Sequence, residues 1–589
     1  MILDFSKLEW MHPGLLLILG AWVLPLLKGR VKRVAMLLLP AAALGVCVCL
    51  SMTPEPELVL GRVDNLSLIF SCIFSIMAFL GMVYALHVDD DVQHVTALTY
   101  AGGALGVTFA ADLLTLYVFW ELMAISSVLL VWQRREKSAA AAGFRYLMVH
   151  IFGGLILLAG IVLYSHENGG ELAFEAMKPF AEGAGWGPAL ILVAFLLNAA
   201  VPPLGAWLPD AYPEATVTGA VFMTAFTTKS AVYVLIRGFA GTELLVWLGA
   251  AMAIYGVVYA VLENDTRRLL AYHIISQVGY MVCAVGIGTA LAINGASAHA
   301  FAHILYKALL FMGAGAVLQV TGLRKLSEMG GLYKTMPITL WLYMIGAFAI
   351  SAVPLFSGFV SKSMIVSAAG EEGRQWIFLM LTLASAGTFL HTGLKLPYYM
   401  FFGKDSGVRG KEPPVNMLVA MGLAAAACVL IGVFPGLLYQ LLPNDVVYHP
   451  YTLHHVTSTL GMLGFTALGF FLLLKHLDPE RKVSLDTDWF YRRGSAAFIA
   501  LTQRPLVRLE ASFVGEIYEF VMRRLVLGIA GLLREFDTRV VDSTAVGVGR
   551  LTQTFSQILR TGVSGNAQHY GLIMAAGVLA LLALAMFVI

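Results

Sequence analysis

The sequence predicts an all-α, polytopic membrane protein of about sixteen transmembrane helices with a lateral amphipathic helix near its end. Three observations carry this reading. Of 589 residues, 59% are hydrophobic and 13% charged, with a mean hydropathy of +0.80, against about 45–50% apolar and 25% charged in a soluble domain. Apolar stretches of about 20 residues, enough to cross a bilayer, recur from Gly14 to Ile589. Prolines interrupt two of them, at Val201-Pro202-Pro203 and Ala352-Val353-Pro354. So little charge cannot cover soluble domains, and a net charge of +2 offers no field for nucleic acid.

Along the chain, the first span at 14–27 follows Asp4 and Glu9 and precedes Lys28, Arg30, Lys32 and Arg33. A signal peptide has the reverse order, so this span is expected to be retained. With the N-terminus outside, the basic segments 28–33, 134–137, 267–268, 324–334, 404–411 and 475–493 fall on the cytoplasmic side; the opposite loops hold only scattered bases such as Arg62, Lys178 and Arg374. The acidic run Asp89–Asp91 also falls inside. The organisation expected is N-terminal helices to 110, a core over 111–403, accessory helices over 404–477, a lateral segment over 478–566 and a closing helix over 567–589. In the lateral segment, Phe513, Ile517, Phe520, Val521, Leu525, Ile529, Leu532, Phe536 and Val540 recur at helical spacing. From Trp489 to Arg560 it would reach on the order of 100 Å if mostly helical.

The five cysteines, Cys47, Cys49, Cys72, Cys283 and Cys428, lie in apolar runs without C-x-x-C or C-x-x-H spacing. No metal, iron–sulfur or other cofactor is therefore expected. Charges inside apolar spans are more informative, because each costs about 2.5–3.5 kcal/mol at mid-bilayer on insertion scales. Glu121 and Lys229 are two such charges, and each is expected to have a partner or a wet cavity; mutual compensation, with Asn198 bridging through water, is one arrangement. Asp112, nine residues before Glu121, reads as a solvated helix end. His299, His303 and Lys307 recur at i, i+4 and i+8, a ladder of proton-carrying groups rising about 6 Å per rung. The bland alternative is a set of polar residues hydrogen-bonded between packed helices. Lys362 and Lys395 read either as path residues or as lysines snorkelling from helix ends. The two proline breaks point to repeated, inverted halves around an ion path, or else to two unrelated kinks.

These residues resemble the antiporter-like membrane subunits shared by respiratory complex I, Mrp-type sodium/proton antiporters and membrane-bound hydrogenases. The motifs are Asp112-x7-Trp120-Glu121, Trp207-Leu-Pro209-Asp210-Ala211-Tyr212, Arg267-Arg268-Leu-Leu-Ala-Tyr272 with Ser276-Gln277, His299-x3-His303-x3-Lys307-Ala-Leu-Leu, Gly330-Gly331-Leu-x3-Met336-Pro337 and Gly358-Phe-x-Ser-Lys362. They cover residues 64–436 and look most like the Mrp D subunit, while the C-terminal part, with Leu559-Arg560-Thr561-Gly562, looks like complex I's longest antiporter-like subunit. The resemblance implies two inverted five-helix repeats, each with one broken helix, and proton movement along a polar axis. It makes Glu121 the first half-channel's carboxylate and Lys229 its neighbouring base; His299, His303 and Lys307 become the central relay, and Lys362 the exit-side group. One departure stands out: where the family has lysine on the first broken helix, this chain has Asn198, and Gly205 replaces a residue that is often polar.

The function expected is an ion-translocating subunit, moving protons with Na+/H+ exchange as an option, in a multisubunit complex of a bacterial inner membrane. Its partners are then other membrane subunits, protons or Na+, and lipid. The alternatives are a non-pumping coupling or scaffold subunit beside a soluble hydrogenase or inorganic-carbon module, which Asn198 favours, and a redox enzyme in its own right, which the missing cofactor motifs disfavour.

Overall fold

The structure is a computed structural model and describes residues 11–53, 56, 58, 61–180, 185–445, 447–479, 488–501, 507–509, 515–562 and 565–588. Asp4, Glu9, Phe513 and Ile589 lie outside the described residues. The chain divides into two units, at 1–489 and 490–589. Among the described residues there is no strand, only isolated bridges. Among the described residues twelve helices are long and apolar enough to cross a membrane, and three shorter apolar helices accompany them.

The first unit opens with α1 (Pro13–Val23), α2 (Gly29–Met52) and α3 (Asn65–Ala85). Its next helices are α4 (Asp91–Phe109), α5 (Leu113–Trp132), α6 (Lys137–Glu167), the broken pair α7 (Trp186–Asn198) and α8 (Trp207–Ala211), then α9 (Val217–Ala225) and α10 (Thr227–Phe239). The same succession then recurs. α11 (Glu243–Leu262), α12 (Thr266–Ile287) and α13 (Ala290–Thr321) precede a second broken pair, α14 (Pro337–Ile350) and α15 (Ser357–Glu371), and α16 (Gln375–Thr388) continues helically to Phe402. Carboxylates and hydroxyls at the starts of these helices satisfy their free N–H groups: Asp64 and Ser67 form a capping box at α3, and Asp112 accepts from Leu114 and Thr115 at α5. Asp112 is thus the helix-end residue its spacing implied.

Close helix packing rests on small residues, as lipid-embedded helices require. A Cβ on Gly249 would stand 2.2 Å from the Cys283 nitrogen, and one on Gly279 would stand 2.6 Å from the Gly249 oxygen, so α11 and α12 meet backbone to backbone. α12 and most of α13 are buried all round and form the centre of the core. α17 (Val415–Val433), the short α18 (Gly436–Tyr439) and α19 (Leu453–Leu472) complete the unit.

The second unit holds α20 (Asp488–Leu501), α21 (Val507–Leu509) and a helical run over 515–562 in which α22 (Gly515–Tyr518), α23 (Leu527–Phe536) and α24 (Ser543–Gly562) are joined by wider turns. At 1.5 Å per residue this run is about 70 Å long, shorter than the full stretch from Trp489 because 502–506 and 510–514 are outside the described residues. Ile517, Phe520, Leu525, Leu532 and Phe536 are exposed along it. α25 (Ala567–Val588) is the last apolar span.

Candidate functional site

His299, His303 and Lys307 lie fully buried on α13, yet they do not bond to one another. One turn separates successive rungs by about 6 Å, beyond hydrogen-bond reach. Neighbouring helices fill the intervals. The Lys307 Nζ donates to Nδ1 of His273 on α12 at 3.2 Å. With Nδ1 accepting, the proton of this neutral imidazole is on Nε2, which lies 3.1 Å from the Thr388 hydroxyl. Gln277, one turn along α12, sits 3.4 Å from His273 and places its Oε1 3.2 Å from His299 Nε2. His299 Nδ1 reaches the Ser361 hydroxyl on α15 at 3.1 Å, and Tyr306 closes the group at 3.4–3.5 Å from His299 and Gln277. His303 has no hydrogen-bond partner on either ring nitrogen, and its ring centre is 6.2 Å from that of His299.

Two lysines flank this chain. Lys362, buried on α15, donates to the Ile350 carbonyl at 3.1 Å, which the end of α14 leaves free, and lies 5.1 Å above the Tyr280 ring. It does not snorkel. A cavity of about 450 Å³ reaches it, walled by Ser363, Ser385, His449, His455 and Thr459 among others. Lys395 donates to the carbonyls of Val261 and Glu263 at 2.5 and 3.3 Å, capping the C-terminus of α11. One turn before it, His391 packs its ring 4.8 Å from His273. A line of buried titratable groups therefore runs Lys395, His391, His273, Lys307.

In the first half Glu121 and Lys229 do not meet in a direct ion pair. Glu121 on α5 is half-buried; its Oε1 is buried without a hydrogen-bond partner and fills the notch left by Gly154 on α6. Lys229 forms no ion pair with it. Its Nζ donates instead to the Thr224 carbonyl at 2.6 Å and the Thr228 hydroxyl at 3.1 Å. The reason is local: the helix breaks at Phe226 between α9 and α10, and the carbonyl freed there takes the nearest cation. Asn198 ends α7 with its side chain hydrogen-bonded to His150. His150 is buried on α6 with Nε2 unpartnered, 4.7 Å from the Trp207 ring and 4.1 Å from the Tyr146 ring. Beyond it is a hydroxyl cluster in which Tyr146 meets Ser127 at 2.8 Å and Tyr100 meets Thr227 at 2.5 Å.

His150, His273 and His391 were missed in the sequence because a single neutral histidine does not break an apolar run. The signal available was a lone imidazole inside a span, and at His273 a glutamine one turn on.

Residues 110–389 match the family described as NADH:quinone oxidoreductase/Mrp antiporter, transmembrane. The A subunit of the Na(+)/H(+) antiporter of Alkalihalophilus pseudofirmus is 27% identical over 554 residues, covering 82% of this chain and 68% of that protein. The Na(+)/H(+) antiporter D subunit of the same organism is 34% identical over 318 residues, 51% of this chain and 64% of that one. The L subunit of the F(420)H(2) dehydrogenase of Methanosarcina mazei is 27% identical over 585 residues, 88% and 86% respectively. The chain thus spans about two thirds of the length of these antiporter proteins. A chain of the Mrp complex from Dietzia sp. DQ12-45-1b shares the fold, with a TM-score of 0.66, 19% identity and coverage of 79% of this chain and 99% of that one.

Proposed function

Since residues 110–389 belong to the NADH:quinone oxidoreductase/Mrp antiporter transmembrane family, we propose that this multi-pass membrane protein is an ion-translocating subunit of a multisubunit complex in a bacterial inner membrane, with other membrane subunits as its partners. The observation that carries the reading is the buried line Lys395, His391, His273, Lys307, continued through Gln277 to His299 and Ser361. Buried lysines and imidazoles in a bilayer core are costly unless they exchange protons or hold partners. The line carries no carboxylate, whereas Na+ is held by oxygen ligands, so the proton is its ion and any Na+ exchange belongs to other residues or subunits.

In this scheme Lys307 passes its proton to Nδ1 of His273, whose Nε2 proton passes to the Thr388 hydroxyl and on through water, while the Gln277 amide orients His273 and His299 without carrying a proton itself. His299 takes it up and Ser361 hands it on to the neighbourhood of Lys362 and the cavity above. His303, with both nitrogens unpartnered, joins the line to Lys229, and Glu121 serves the first half. A second reading, a coupling subunit that carries no ion through its first half, is favoured by Asn198, which holds no proton to exchange.

Lys307→Ala tests the proposal in the whole complex reconstituted in vesicles. The expected outcome is loss of coupled acidification with assembly unchanged, because a methyl group breaks the relay while alanine suits a helix. Acidification equal to that of the unaltered complex overturns it.

A further inference from the structure

We infer that His150 is the proton carrier of the first half, linking the Glu121 carboxylate to the hydroxyl cluster that leads to Lys229. The inference rests on the proton passage proposed above and adds a residue to it.

Two buried polar atoms here lack partners: Glu121 Oε1 and His150 Nε2. Buried polar groups in native structures are almost always satisfied by protein or water, so two orphans on facing helices call for a common partner. They are close. Glu121 Oε1 lies against Gly154, to the point that a Cβ there would be 1.9 Å away. His150 is one turn earlier on the same face of α6, about 6 Å along the axis. One water spans such an interval with two ordinary hydrogen bonds.

The other groups around His150 do not take its place. Asn198, from α7, holds no exchangeable proton in this range. Trp207, from α8, spends its indole N–H on the Leu197 carbonyl at 3.0 Å. The Arg145 and Asp210 pair is closed by bonds of 2.7 and 2.8 Å. The phenols of Tyr146 and Tyr212 conduct through their hydroxyls without themselves ionising near neutral pH. His150 is therefore the group here whose ring can accept a proton on one nitrogen and release one from the other.

A proton on the Glu121 carboxyl passes through the bridging water to Nε2 of His150, leaving the carboxylate behind. The imidazolium then releases the proton on its other ring nitrogen, Nδ1, toward Tyr146 and the neighbouring Thr227 and Tyr100 hydroxyls. Thr227 is two residues from Lys229, which the proton reaches next. Gly154 is part of the device, since any side chain there would push the carboxylate from the notch.

The test is His150→Gln in the intact complex, with His150→Asn as the second variant should the first fail to assemble. Two quantities are read: proton transport in vesicles, and the pH profile of Glu121 modification by a hydrophobic carbodiimide, which attacks the protonated carboxyl. Transport is expected to fall roughly 100-fold, and modification of Glu121 is expected to extend to higher pH because the neighbouring imidazolium is gone. If the unaltered complex moves no protons, the function proposed above fails, while the carbodiimide profile still decides the role of His150. An unchanged profile, with or without loss of transport, overturns the inference, since a merely structural histidine would leave Glu121's protonation as it was.

Discussion

Glu121 occupies the volume that a side chain at position 154 would need. A carboxylate at the end of a flexible side chain gives way more cheaply than backbone, so Gly154→Ala should fold with stability within about 0.5 kcal/mol of the parent while displacing the carboxylate from His150. The expected result is normal assembly with proton transport reduced severalfold; transport at the parent level would show that the notch has no role. Gly205 has a different cause. A Cβ there would lie 2.2 Å from the Ala200 carbonyl, so a residue with a side chain has no room in this chain. At this scale the sequence was legible wherever a full charge interrupted an apolar run, as at Glu121, Lys229, Lys307 and Lys362. It was opaque at His150, His273 and His391, whose neutral rings read as part of the run, and it left open which groups Glu121 and Lys229 meet. Two charges in one half of a protein need partners, but a backbone carbonyl freed by a helix break serves a lysine as well as a carboxylate does, and no spacing rule announces it.

The two broken helices end alike. In α7 the bonds run from N–H 199 to O 195, 200 to 197 and 201 to 196; in α14 they run from 351 to 347, 352 to 349 and 353 to 348. In each the residue two before the proline, Ala200 or Ala352, has positive φ, 60° and 56°. Matching turns at matching places make two unrelated kinks a poor account, and the prolines at 202 and 354 made both breaks readable from sequence. What the sequence did not reveal is how the second break is held shut: α15 restarts so close to α14 that a Cβ on Gly358 would stand 1.8 Å from the Ala349 carbonyl. Backbone meets backbone there, and neither side can rotate away. Gly358→Ala should therefore destabilise the protein by about 1–3 kcal/mol and move the buried Lys362 one turn on. Thermal unfolding of the purified complex in detergent measures the first effect, and an unchanged midpoint would contradict this account of the junction.

Over the whole transmembrane unit, the two repeats are tied together by an ion-pair belt through the loops at one end of the helices. Glu214, after α8, accepts from Arg134 of the α5–α6 loop at 3.1 Å, from Arg324 beyond α13 at 3.0 Å and from the Ser138 hydroxyl at 2.7 Å; Arg324 also pairs with Asp265 at the start of α12. Glu214 thus joins the first repeat to the second. The basic loops were visible in the sequence, but their acidic partners were not, because pairing between residues 110 positions apart leaves no local pattern. Burial pushes the Glu214 carboxyl upward; the Ser138 hydroxyl and the guanidinium groups of Arg324 and Arg134 outweigh it and hold the group below its usual 4.5. A carboxylate whose folded value is depressed adds stability above its unfolded value, and that contribution is lost as pH falls through the folded one. Glu214→Gln should accordingly lower the unfolding midpoint at neutral pH, and the gap from the parent should narrow as pH falls below the usual 4.5 and through the depressed folded value. Thermal unfolding across that range checks it. A gap that stays constant through the titration would mean that the belt acts by packing alone and that the charge on Glu214 does not hold the repeats together.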